Sequence, residues 1–101
     1  MSKVLVIGAG AAGSMAAIFA ARAGNDVIVF EKNAKTGKKI YMTGKGRCNL
    51  TNAVENEELI KNTIRNPKFM YSAYSAFSSN DTIGFFEKLN CPIKVERGNR
   101  A

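Results

Sequence analysis

The chain opens on an apolar run that does not alternate. Val4-Leu5-Val6-Ile7 has no polar position between its members, and a short continuous run of this kind predicts a parallel strand buried on both faces. Glycines follow at once. The segment after them, from about Ala11 to Ala23, is rich in alanine, with Met15, Ile18 and Phe19 as its larger apolar groups, and it predicts a helix. Gly24 and Asn25 supply a C-terminal stop. Val27-Ile28-Val29-Phe30 repeats the unalternating pattern and ends at Glu31, so the first 31 residues read as a βαβ unit with parallel strands.

Further along, the period becomes helical. Asn56 to Ile64 predicts a short helix, and Pro67 suits the start of another, with Phe69, Met70, Tyr74 and Phe77 on one face. Ser79 or Asn80 can cap a third helix running through Leu89, with Ile83, Phe86 and Leu89 buried. Asn90-Cys91-Pro92 ends it, and Ile93 to Glu96 reads as a returning strand. The chain divides into a βαβ unit over 1–31, a basic glycine-rich loop over 32–52, and a helical segment with a return strand over 53–101, all within one incomplete α/β domain.

The glycines carry the chemistry. Gly8-Ala9-Gly10-Ala11-Ala12-Gly13 matches G-x-G-x-x-G directly between strand and helix. Gly8 permits the tight turn off the strand. Gly10 lets backbone N–H groups approach a pyrophosphate without a Cβ in the way. Gly13 lets the helix lie close against the sheet. The pyrophosphate would sit over Ala11 and Ala12 at the helix N-terminus, where unpaired N–H groups and the helix dipole favour negative charge. Glu31, at the end of the second strand, can accept hydrogen bonds from both hydroxyls of an adenosine ribose and would repel a 2′-phosphate. Strand, glycines, helix, strand and acid in this order predict a Rossmann-like dinucleotide site.

Composition narrows the picture. The 101 residues suffice for one small domain, and 46% apolar content supports a real core. There is no histidine, so the commonest general base and metal ligand is missing. Cys48 and Cys91 lack metal-ligand spacing and are too few for a disulfide framework. No metal site is expected. The charge-free stretch from Val4 to Ala21 resembles a membrane segment, but Gly8, Gly10, Gly13 and Ser14 make it small rather than oily. Neither a membrane partner nor a secretory leader is expected, and the expected compartment is the cytoplasm. The net charge of +7 is concentrated: Lys32, Lys35, Lys38, Lys39, Lys45 and Arg47 fall in one window without an acid. Such a window suits phosphate. Nucleic acid is not expected, because Tyr41 is its one aromatic and offers no stacking ladder.

A second motif, Thr43-Gly44-Lys45-Gly46-Arg47-Cys48-Asn49-Leu50-Thr51-Asn52, has the glycines, cations and short polar side chains of an anion-wrapping loop. Together, Gly8–Gly13, Glu31, Gly37-Lys38-Lys39 and Thr43–Asn52 resemble the bacterial NAD(P)/FAD-dependent oxidoreductases of the aminoacetone-oxidase-like group, within the two-dinucleotide-binding-domain flavoprotein superfamily. Phe85 to Leu89 and Lys94 to Arg100 are similar to that group as well. The resemblance implies FAD as cofactor, NAD(P)H as a possible electron donor, a small-molecule substrate, and a longer polypeptide of which this is the N-terminal part. It implies that the first glycines and Glu31 hold the AMP half. It also implies that Lys39 and the stretch from Gly44 to Asn49, with Gly44, Gly46, Arg47, Cys48 and Asn49, lie along the pyrophosphate and flavin side, and Lys32, which opens the basic window, is a further candidate for cofactor binding. Ala53 stands five positions after Cys48, so the dithiol of the disulfide reductases is absent. A single-domain NAD-dependent dehydrogenase and a non-catalytic nucleotide-binding module are the alternatives.

Overall fold

A computed structural model describes residues 1–42 and 48–101, which form two compact units, Met1–Cys48 and Asn49–Ala101. The division falls inside the segment 32–52 that the sequence assigns to one loop.

In the first unit, β1 (Lys3–Ile7) and β2 (Asp26–Phe30) form a two-stranded parallel sheet, joined through α1 (Ala11–Arg22). The register pairs Lys3 with Asp26 and Ile7 with Phe30. The Gly8 N–H continues the ladder by donating to the Phe30 carbonyl at 2.7 Å. The fold is therefore α/β and Rossmann-like, with fewer strands than a full doubly wound sheet. α1 ends as the sequence predicts: Gly24 takes a φ of +90° and its N–H donates to the Ala21 carbonyl at 3.0 Å. Arg22 in the last turn lies 5.6 Å from the Phe19 ring centre. After β2 the chain forms a short α2 (Lys38–Met42).

One expectation about the sheet fails. β1 is not buried on both faces. Val4 and Val6 are half-buried on the side of α1, whereas Leu5 and Ile7 are 57% and 80% exposed. Ile28 and Phe30, their register partners, are exposed with them. A helix on one face of two strands leaves the other face open, and no described element of this unit covers it.

The second unit holds α3 (Asn56–Lys61), a 3-10 turn over Pro67–Met70 leading into α4 (Tyr71–Ala76), and α5 (Ser79–Lys88). α3 stops short of Ile64: the Asn62 side chain and the Thr63 hydroxyl turn back onto the carbonyls of Glu58 and Leu59 at 2.8 and 2.7 Å. Of the face expected after Pro67, Met70, Tyr74 and Phe77 are half-buried and Phe69 is exposed. The N-cap of α5 is Ser78, not Ser79 or Asn80. Its hydroxyl accepts from the Asp81 N–H while the Asp81 carboxylate accepts from the Ser78 N–H, a closed capping box. Ser79 is instead buried, with its hydroxyl donating to the Asn52 carbonyl. That bond sets the phase of the helix. Phe85 becomes the buried apolar residue, edge-on to Phe77 and Phe86, while Ile83 and Phe86 are half-buried and Leu89 is exposed.

The return strand expected at Ile93–Glu96 does not form as a ladder. Glu96 makes an isolated antiparallel bridge with Arg100, and Arg100 makes another with Asn52. The tail pairs with the end of the second motif: Leu50 N–H donates to the Ala101 carbonyl at 2.6 Å, and Ala101 N–H to the Thr51 carbonyl at 2.9 Å.

Candidate nucleotide-binding site

The loop between β1 and α1 is shaped by its glycines. Gly8 has a φ of +95°, a conformation that favours glycine over any residue with a Cβ. A Cβ on Gly13 would stand 1.8 Å from the Gly8 carbonyl oxygen and 3.4 Å from Val6 Cγ1, so the helix can meet the strand only at a bare Cα. Gly10 is different: a Cβ there meets nothing within 4 Å, and the space above it is open. Gly10 is also the N-cap of α1, with no side-chain cap. The first helical bond runs from the Ser14 N–H to the Gly10 carbonyl at 2.9 Å, which leaves the amides of Ala11, Ala12 and Gly13 without intrahelical acceptors.

Glu31 closes one side. Its Oε1 accepts from the Ala9 N–H at 2.9 Å, and its Oε2 accepts from the backbone N–H of Asn33 at 2.8 Å and from the Asn33 side-chain amide at 3.0 Å. The Asn33 N–H and then the Ala9 N–H hold the Glu31 carboxyl below its ordinary value; desolvation opposes them, and the Asn33 side-chain amide and Lys32 add smaller attractions. The Ala9 carbonyl accepts from the Gly37 N–H at 2.8 Å. Ala9, 4% exposed, is thus held at both ends of its backbone. Asn33 and this clamp on Ala9 were not singled out from sequence. A short amide side chain two residues past a strand-end carboxylate is the signal that points to Asn33.

The first unit brings together Gly8, Gly10, Ala11, Ala12, Gly13 and Glu31, with Lys32 and Lys39 exposed on the segment that follows. Lys35 and Lys38 are exposed as well. Gly44, Gly46 and Arg47 lie outside the described residues. Cys48 is an exposed free thiol of the first unit, and Asn49 is an exposed residue at the start of the second. Thr51 and Asn52, at the end of that motif, are occupied in the second unit by Ser79 and the tail. Among the described residues no cluster of three or more His, Cys, Asp or Glu could hold a metal ion, and no helix is long and apolar enough to cross a membrane.

The donor set fits one half of a dinucleotide. Free amides at a helix start beside open space suit a diphosphate, and a carboxylate beside them suits a ribose hydroxyl.

Comparison with known proteins agrees with this geometry. The model of the family described as HI0933-like protein Rossmann domain matches residues 2–101. The chain is 38% identical over 100 residues to the 3-dehydro-bile acid delta(4,6)-reductase of Clostridium scindens, covering 97% of this chain and 24% of that protein. It is 40% identical over 85 residues to the ribosomal RNA dihydrouridine synthase of Escherichia coli, covering 83% of this chain and 20% of that protein. The synthase of the same name from Haemophilus influenzae is 39% identical over 82 residues, covering 81% of this chain and 20% of its own length. The chain therefore spans a quarter or less of the curated relatives it matches.

Proposed function

The chain belongs to the HI0933-like protein Rossmann domain family, and from that premise we propose that it is the FAD-binding N-terminal part of a longer flavin-dependent oxidoreductase. The observation that carries the reading is the open, Cβ-free space at Gly10, at the start of α1 with its unpaired amides and next to Ala9, whose N–H the Glu31 carboxylate holds. The amides of Ala11, Ala12 and Gly13 hold the diphosphate, and Glu31 holds the adenosine ribose. Lys32 and Lys39, exposed on the segment after β2, supply positive charge for the phosphates. When bound, the flavin supplies the hydride or electron transfer, with NAD(P)H as electron donor. This chain's residues bind and orient it.

The names of the relatives share a reductive chemistry but not a substrate: one names a bile acid, two name ribosomal RNA. A small molecule is the substrate class proposed here. The two RNA names, together with exposed Lys32, Lys35, Lys38 and Lys39, favour RNA as the second reading. Salt-dependent retention of RNA by the FAD-loaded protein would decide for the second reading.

The test of the cofactor is direct. The purified full-length polypeptide should show the absorbance bands of oxidised flavin. Glu31→Ala should weaken FAD binding roughly tenfold or more, because it strips an acceptor from a charge-assisted contact. A colourless protein that takes up NAD instead would make this a nicotinamide dehydrogenase. Unchanged FAD affinity in Glu31→Ala would remove Glu31 from the site.

A further inference from the structure

We propose that Asn33 is a positioning residue for the nucleotide site: it occupies one oxygen of the Glu31 carboxylate and so presents the other, beside the glycine loop, to the ribose. The inference rests on the FAD reading above and deepens it.

The argument is a count of lone pairs. An ionised carboxylate offers about four acceptor sites, two on each oxygen. Both sites of Glu31 Oε2 are taken by Asn33, one by its backbone N–H at 2.8 Å and one by its side-chain amide at 3.0 Å. Oε1 accepts one bond, from the Ala9 N–H at 2.9 Å. The one open site is therefore on Oε1, the oxygen already tied to the glycine loop. A ribose hydroxyl arriving beside a diphosphate at α1 meets a fixed acceptor instead of a rotating side chain. Fixing it in advance removes the ordering cost from the binding step. The sequence reading had one carboxylate accept both hydroxyls. With Asn33 in place, one hydroxyl is accepted by Glu31.

The side-chain amide of Asn33 can be removed without disturbing the rest. Asn33 is exposed, its backbone N–H survives any substitution but proline, and the Ala9 contact does not involve it. The amide also favours the charged form of Glu31, as Lys32 does. Lys32 is the charged side chain that acts on this carboxyl, and it stays in every variant.

The experiment is an FAD titration of the full-length apoprotein, followed by flavin fluorescence from about pH 3 to pH 8 so that the carboxylate range is covered, for the parent, Asn33→Ala, Asn33→Ser and Glu31→Ala. Asn33→Ala should bind FAD roughly three- to tenfold more weakly at pH 7. Its acid limb of binding should also move to higher pH, because a carboxylate with fewer donors protonates sooner. Asn33→Ser, which keeps a short donor at the same backbone position, should restore both. Thermal midpoints should match the parent, since a general structural defect would lower them without moving the pH limb. If Glu31→Ala loses FAD while Asn33→Ala binds as the parent does, positioning is overturned and the FAD reading stands. Tighter binding by Asn33→Ala would make Asn33 a competitor of the ribose and overturn the proposal. If Glu31→Ala leaves binding unchanged, the ribose reading falls and Asn33 falls with it.

Discussion

Replacing Gly13 by alanine should damage the fold itself. The added Cβ would stand 1.8 Å from the Gly8 carbonyl oxygen, where real Cβ contacts essentially never fall under 3.0 Å. Helix and loop must part by more than an ångström. Neither side yields easily: the Gly8 N–H is bonded to Phe30 at 2.7 Å, its φ is +95°, and α1 is anchored at the same point by the bond from Ser14 to Gly10. Ordinary overpacking costs about 1–3 kcal/mol because side chains can rotate away. Here backbone meets backbone, which places the cost at about 3–5 kcal/mol, a large share of a typical domain's stability. The control is Gly10→Ala. Gly10 has a φ of −81°, open to any residue, and a Cβ there meets nothing within 4 Å. Its cost should stay within about 1 kcal/mol, the N-cap preference for glycine over alanine. Urea unfolding of the full-length protein, followed by far-ultraviolet circular dichroism, should show Gly13→Ala with a much lower midpoint or insoluble, and Gly10→Ala near the parent. A soluble Gly13→Ala protein with the parent's midpoint would refute the close contact. Equal losses in the two variants would refute the distinction between them.

Gly10→Val should fold yet purify without FAD, because its side chain fills the space the diphosphate needs; a yellow, fully loaded variant would show that the backbone does not approach the cofactor there. Ser78→Ala should cost about 1 kcal/mol in the unfolding assay by opening the capping box of α5. The Asp81 carboxyl in that box is held below its ordinary value by the Ser78 N–H and then by the Ser78 side chain, so its contribution is present above the usual carboxylate range and is lost as pH falls through its lowered value. The gap between parent and variant should narrow in acid.

The βαβ unit was legible because its requirements are local. A turn needing positive φ at Gly8 and a packed helix start at Gly13 each demand glycine at a fixed spacing, and the sequence shows both. Burial was less legible. Val4-Leu5-Val6-Ile7 reads the same whether one face of the strand is covered or two, and only the structure shows Leu5 and Ile7 open. In α5 three successive residues, Ser78, Ser79 and Asn80, can cap. The decisive partner was Asp81, at the third helical position only when Ser78 is the cap. Phe85 and Phe86 are adjacent, and which one is buried depends on helix phase, fixed by a bond from Ser79 to distant Asn52. The failure at Ile93–Glu96 has the same root. Apolar content suggested a strand, but a ladder needs a partner, and the tail pairs through Arg100 and Ala101 instead.

Glu31 therefore does two things, and they must be separated when its variants are read. Its Oε1 holds the Ala9 N–H, and Gly37 holds the Ala9 carbonyl, so the residue between the first two glycines is fixed by the protein's own bonds. Ala9 is then not a donor to phosphate. In the proposed site the donors are the amides of Ala11, Ala12 and Gly13, which have no acceptor in the helix. Glu31→Ala removes the proposed ribose acceptor and also frees the Ala9 end of the loop that presents those amides. Its loss of affinity thus exceeds the value of the ribose contact, as truncation of a doubly engaged group generally does. Asn33→Ala leaves the Ala9 bond intact, so the difference between the two variants measures loop and ribose contributions together against carboxylate orientation alone.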